Sequence, residues 1–380
     1  MSRSVAVLVG LFLFSAALAG ETELLKNGDF RDGSASWSDV AVDGDKAAEI
    51  VELDGAKALK LTRIKPGAMP LATQYNIKLR PQTLYRLTVT GVGETRAAVS
   101  FRPSSAKDPE FQNLCKSWAT SAAPMDPSKE PATETFLFDS GLKADKAFLS
   151  LRLDGDQPGT YCFKRASLTE VASTKADKSE VVIAHLGDSI TITSYLPFSQ
   201  RIDAVLAPHI SKAFPALKVR QLNLGVDGES AKVLLDTGRY NKALKENYDR
   251  LDIAIIRYGS NDSRLPDGGG PEGFRKQLAR LCDALQRDYP GITLILGTGP
   301  CLHNADAVNT KYAPYWQAVR DLAKERAYAV ADVYRSFEKE ASLKTAKAEG
   351  DMHPSPYGVK LAADVEFAAL EKILKAREAK

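Results

Sequence analysis

At 380 residues the chain is longer than one ordinary domain and has room for two, each with its own core. Its composition is globular, with 44% hydrophobic and 26% charged residues, and 51 Lys and Arg nearly balance 48 Asp and Glu. A formal charge of +3 gives no general basis for binding nucleic acid or an anionic membrane surface.

The chain opens with Arg3, an apolar run from Val5 to Leu18 and the small-x-small triplet Ala17-Leu18-Ala19. This is the pattern of a signal peptide over residues 1–19, cut near Ala19, and it predicts a secreted or periplasmic protein. The run is too short for a good membrane span. No Cys follows the cleavage site to carry a lipid, so no stable membrane anchor is expected.

Residues 20–172 read as short alternating strands broken by Gly, Pro and Asp turns. Examples are Lys57 to Ile64, Leu84 to Val92, Ala97 to Arg102, Thr135 to Phe138, Ala147 to Leu153 and Thr160 to Leu168. Side chains alternate faces along a strand, so Tyr85, Leu87 and Val89 point one way and Arg86, Thr88 and Thr90 the other. Such runs with almost no helical pattern indicate an all-β sandwich. Pro103 to Pro131 reads as a long loop or a partly ordered insertion. Cys115 and Cys162 could bridge that loop to a strand, and Cys282 and Cys301 form a second pair, with buried free thiols as the alternative. No cysteine or histidine cluster has zinc spacing, so no metal site is expected. The stretch Leu24 to Phe30 with Trp37, then Leu84 to Leu87, then Ala166 to Val171, resembles jelly-roll carbohydrate-binding modules. Arg31 and Lys164 depart from that resemblance where acidic residues are usual, which weighs against a structural calcium. Such a sandwich can bind sugar or simply pack beside a catalytic domain, because fold alone does not carry function.

Residues 173–179 are short and polar, a linker. From 180 to 380 strands and helices alternate. Strands are predicted at Val181 to Leu186, Val219 to Leu224, Asp252 to Arg257, Thr293 to Leu296 and Tyr328 to Val333. Amphipathic helices are predicted near Phe198 to Phe214, Ser230 to Glu246, Gly273 to Arg287, Tyr312 to Arg326 and Pro356 to Lys375. This repetition predicts an α/β domain with a parallel five-stranded sheet covered by helices on both faces.

Four blocks stand after strands of that sheet: Gly187-Asp188-Ser189-Ile190, Asn223 to Gly228, Gly259-Ser260-Asn261-Asp262 and Asp351 to Ser355. Ligands of open α/β sheets bind outside the carboxyl ends of the strands, so the blocks should converge there. A serine hydroxyl needs a base to take its proton, and His353 is the best one available at neutral pH. Charge developing on an ester carbonyl oxygen needs fixed donors. The backbone N–H groups of Ser189 and Gly228 and the Asn261 amide can supply them. The imidazole must also be held by its other nitrogen, and Asp351 is the nearest carboxylate in sequence.

These blocks resemble those of the SGNH/GDSL hydrolase family over the whole of residues 180–380. The resemblance implies a flavodoxin-like fold, with Ser189, Gly228, Asn261 and His353 as the four name-giving residues. The family's acid usually stands three before the histidine, where this chain has Gly350. Asp351 is favoured to orient His353, with Glu349 or a backbone carbonyl as alternatives. Tyr195, Arg257, Tyr258 and His303 are candidate substrate contacts. Asp188 should brace the nucleophile turn and Asp332 the sheet edge, His185 and Trp316 should pack in the core, and His209 should lie on the surface of a helix.

The chemistry requires no cofactor. The leading expectation is a secreted serine esterase that removes small acyl groups, acetyl first, from an acylated carbohydrate. The other readings are a lipase, phospholipase or thioesterase, a sugar O-acetyltransferase, and a catalytically silent glycan-binding protein.

Overall fold

The computed structural model describes residues 22–103, 120–141, 146–301, 306–340, 345–346 and 351–378. The expected signal peptide, Cys115, His303 and Glu349 lie outside the described residues. No helix among the described residues is long and apolar enough to cross a membrane.

The N-terminal half is two antiparallel sheets. Its strands are β1 (Lys46–Leu53), β2 (Ala56–Arg63), β3 (Leu71–Lys78), β4 (Thr83–Gly93), β5 (Ala97–Pro103), β6 (Thr120–Met125), β7 (Ser128–Asp139), β8 (Lys146–Leu153) and β9 (Gly159–Ser173). One sheet runs β1-β2-β9-β4-β7 and the other β3-β8-β5-β6. Alternation decides which residues enter the core. Leu59, Leu61, Tyr85, Leu87, Tyr161 and Phe163 from the first sheet meet Val99, Phe101, Leu149 and Leu151 from the second. The β1–β2 hairpin turns on Asp54 and Gly55, both at positive φ, the conformation a two-residue hairpin demands. The reading of Pro103 to Pro131 as a loop needs correction, because β6 and the start of β7 fall in it and pair with β5 and β4. Its prolines masked the strand signal, and β6 carries one of them, Pro124, opposite Ala98.

The C-terminal half is a parallel sheet ordered β11-β10-β12-β13-β14, a flavodoxin-like arrangement. Its strands are β10 (Glu180–Gly187), β11 (Lys218–Asn223), β12 (Ile253–Arg257), β13 (Thr293–Gly297) and β14 (Ala329–Ala331). Its helices are α1 (Ser189–Ile192), α2 (Ile202–Ala213), α3 (Ala231–Asp236), α4 (Gly270–Asp288), α5 (Asp306–Arg326), α6 (Val333–Glu340) and α7 (Pro356–Glu378). Alternate residues of the strands serve two cores. Val182, Ala184, Leu186, Ala254 and Ile256 pack with α4 and α5. Val181, Ile183, Ile253 and Ile255 pack with α2, α6 and α7. The single helix expected over Ser230 to Glu246 is two pieces, broken at Gly238, whose φ of 74° leaves the helical region.

The two halves exchange core residues. Phe198 belongs to the sandwich core, and Leu84 of β4 belongs to the core of the parallel sheet. Phe198 stacks on Phe136 of β7 at 4.4 Å, with the Arg201 guanidinium 4.4 Å above the Phe198 ring. Beside this stack the Glu134 carboxylate accepts from the Ser199 N–H at 2.6 Å and from its hydroxyl at 2.8 Å. At the end of β7, the buried Asp139 carboxylate accepts from the Tyr248 hydroxyl at 2.6 Å and from the Asn247 amide.

The second cysteine pair is not a disulfide: Cys282 is a buried thiol, which burial pushes up to about 12, and Cys301 is unbridged.

Candidate active site

Strand β10 ends at Gly187, where a Cβ would lie 2.1 Å from the Thr191 hydroxyl and 2.5 Å from the Arg257 carbonyl. Only glycine lets the chain turn sharply here against its neighbour. Asp188 then caps the four-residue α1, its Oδ1 accepting from the Ile190 N–H at 3.0 Å. Ser189 therefore opens a helix, partly exposed at the carboxyl edge of the sheet.

His353 reaches this serine from the loop ahead of α7. Its Nε2 lies 2.9 Å from Ser189 Oγ, and its Nδ1 lies 2.7 Å from Asp351 Oδ1. A carboxylate can only accept, so Nδ1 carries the proton and Nε2 is left to accept from the serine. The two-residue spacing works because Asp351 Oδ1 also accepts the backbone N–H of His353 at 2.9 Å. That local turn folds the acid back beneath its own histidine ring.

The second block approaches α1 closely, since a Cβ on Gly225 would lie 2.7 Å from the Ile192 nitrogen. Gly228 follows at φ +76°, in a turn with open space where a side chain would be. In the third block Asn261 Nδ2 donates to the Glu229 carbonyl at 3.0 Å and to Asp188 Oδ2 at 3.3 Å. The longer of these bonds is the one it can give up to a new acceptor. Asp188 thus touches the turn that carries Ser189 with one oxygen and, with the other, Asn261 and the Ser260 hydroxyl. Burial raises the Asp188 carboxyl above its ordinary value, partly opposed by the bond from Ser260.

Two acids with no part in the sequence reading hold these loops. Asp262 accepts from the N–H groups of Ala231 and Gly259, both at 3.1 Å, tying the second block to the third. Burial first, then the nearby Asp188, push it up to about 7. Glu229 is buried between Arg239, at 3.0 Å, and the Tyr258 hydroxyl, at 2.7 Å. The signal for Asp262 was its position directly after Asn261. Glu229 gave none, since its partners are distant in sequence.

The structure separates the candidate substrate contacts. Tyr195 sits at the site, its ring edge-on to His353 at 5.3 Å and its hydroxyl donating to the Pro354 carbonyl at 2.8 Å. Arg201 donates to the carbonyls of Ser194 and Leu196 on either side of it, at 3.2 and 3.3 Å. Arg257 and Tyr258 are both buried. Arg257 ends a strand covered on both faces and pairs with Glu366 of α7, while the Tyr258 hydroxyl is taken by Glu229. Trp316 is buried in the core. His185 is buried against Gln221, 3.0 Å away, and His209 is partly exposed on α2. Asp332 receives Thr298 at 3.1 Å and Arg320 at 2.9 Å.

Residues 185–361 match the model of the GDSL-like lipase/acylhydrolase family, a span that holds the four blocks. No curated protein matches the chain. Among solved structures, the chain is similar to a protein of Parabacteroides merdae put forward as a GDSL-like lipase. The identity is 20%, over 51% of this chain and 97% of that one, with a TM-score of 0.44. A family two carbohydrate esterase from Clostridium thermocellum, crystallised with cellohexaose, is 15% identical over 84% of this chain and 95% of its own, with a TM-score of 0.43. An acetylxylan esterase from Geobacillus stearothermophilus is 20% identical over 50% of this chain and 94% of its own, with a TM-score of 0.42.

Proposed function

We propose that this chain, with its GDSL-type segment, is an exported serine ester hydrolase that removes small acyl groups, acetyl foremost, from a polysaccharide. The observation that carries the chemistry is the line from Asp351 through His353 to Ser189, with contacts of 2.7 and 2.9 Å. In this reading Ser189 Oγ attacks the ester carbonyl while His353 Nε2 takes its proton, and Asp351 stabilises the imidazolium that forms. The carbonyl oxygen, now negative, is met by the N–H groups of Ser189 and Gly228 and by the Asn261 amide. Collapse expels the sugar hydroxyl, protonated by His353, and leaves an acyl-serine. Water, deprotonated by the same imidazole, then releases the acid. Tyr195 supports this step by fixing the loop that carries His353.

The carbohydrate part of the proposal rests on the sandwich, which shares core residues with the hydrolase half and so travels with it. The export part rests on the signal-like residues 1–19. Acetate release from a panel of acetylated polysaccharides, by protein without residues 1–19 and by its Ser189→Ala variant, is the test. Release by the parent that disappears in the variant is the expected result. Release that persists in Ser189→Ala would remove the serine mechanism. Turnover of long-chain esters with none of the acetylated glycans would remove the substrate class.

A further inference from the structure

Arg264 closes the short 3-10 turn (Asp262–Arg264) that follows Asn261, and its side chain is exposed. Its guanidinium meets two neutral atoms, the Met352 sulfur and the Tyr312 hydroxyl, each at 3.5 Å. Met352 stands between Asp351 and His353, so the guanidinium touches the segment that carries the proposed acid and base. Lys311 lies on the same tyrosine, its Nζ 5.6 Å from the Tyr312 ring centroid.

Several other arginines of the C-terminal half have carboxylate partners, among them Arg220 with Glu180, Arg320 with Asp332 and Arg377 with Asp252. Arg264 and Lys311 have none within salt-bridge distance among the described residues. The described acids near the proposed site are engaged elsewhere. Asp351 is on His353, Asp227 accepts the Ser194 hydroxyl at 2.8 Å, and Asp262 is buried under its own turn. A guanidinium with no carboxylate partner among the described residues is open to an arriving anion. A planar guanidinium in addition offers a carboxylate two parallel hydrogen bonds, which a neutral sugar cannot match.

We infer that Arg264, assisted by Lys311, forms an anion subsite beside the scissile ester, and that the substrate is an acylated acidic glycan whose uronate carboxylate docks there. The inference rests on the esterase reading above and narrows its substrate class. Within it Arg264 binds substrate and takes no part in bond making.

The test compares kcat/KM for acetate release from acetylated polygalacturonate and from acetylated xylan. The proteins are the parent, Arg264→Gln, Arg264→Lys and, as a control, Arg280→Gln on the exposed face of α4. The parent should favour the acidic glycan, and Arg264→Gln should lower the acidic-to-neutral ratio by about tenfold or more. Arg264→Lys should restore part of the ratio, Arg280→Gln should leave it in place, and added salt should depress the acidic substrate more steeply. A parent without acidic preference, or a ratio unmoved by Arg264→Gln, overturns the subsite while leaving the esterase standing. Failure of the parent on both glycans and on 4-nitrophenyl acetate overturns the esterase reading and the subsite with it.

Discussion

In the N-terminal sandwich, strand β4 buries Tyr85, Leu87 and Val89 and leaves Arg86, Thr88 and Thr90 half-exposed, whereas β12 of the parallel sheet buries every residue from Ile253 to Arg257. Arg86, Thr88 and Thr90 have water on their side of the first sheet. In the second a polar residue has a helix on either side and must find its partner inside the protein. Arg257 answers that demand with Glu366, and burial lowers its guanidinium to about 10. The difference also decides where chemistry can occur. The interior of the parallel sheet has no room for a substrate, and the proposed site residues Ser189, Gly228, Asn261 and His353 all stand at its carboxyl edge.

This contrast can be tested at four points. If the edge loops carry chemistry and little stability, Asp351→Asn should cost on the order of a thousandfold in kcat, through the wrong imidazole tautomer, with an almost unchanged melting temperature. Near-parental turnover would instead assign the orientation of His353 to another group. In the doubly covered sheet, Glu366→Ala strands a buried guanidinium and should lower the unfolding free energy by about 3–5 kcal/mol in urea titration. A loss below about 1 kcal/mol would mean that Arg257 is not held in a dry interior.

The junction of the two regions should respond next. Phe198→Ala empties a place in the sandwich core and should cost about 3 kcal/mol. Because Phe198 and Arg201 flank the turn behind Tyr195, turnover should fall as well, by a few-fold. A separate early unfolding transition of the sandwich in the parent would contradict the shared core. The smallest effect concerns pH. Burial pushes the Asp139 carboxyl from its ordinary 3.8 up to about 6, so the folded protein holds that proton longer than the unfolded chain. Its stabilising contribution is complete below about pH 4 and is lost as the pH rises through about 6. Asp139→Asn should therefore gain on the parent by on the order of 1–3 kcal/mol between those limits, measured by urea titration at several pH values.

Much of this was legible in the linear chain because the relevant signals are local. Periodicity of two placed most sandwich strands, and strand-helix alternation gave the parallel sheet with its strands within a few residues. Asp351 was legible as the carboxylate nearest to His353, although the turn that joins them needed coordinates. The burial of Arg257 and Tyr258 was not legible, because a strand's sequence does not say whether its second face meets water or a helix. Nor could it say that Tyr195 would face the Pro354 carbonyl, since 159 residues separate them.

Thus the sequence alone determined the two architectures and the four chemical blocks, because spacing, turn residues and side-chain chemistry act over a few neighbours. Tertiary structure alone decided that Asp188 would join the turn of Ser189 to Asn261, that Phe198 and Leu84 would cross between cores, and that Arg257 would be paired in the interior while Arg264 stayed exposed against Met352, with no carboxylate partner among the described residues. Those outcomes depend on which distant segments are brought within hydrogen-bond or van der Waals reach, and burial then requires each polar group to find a partner there.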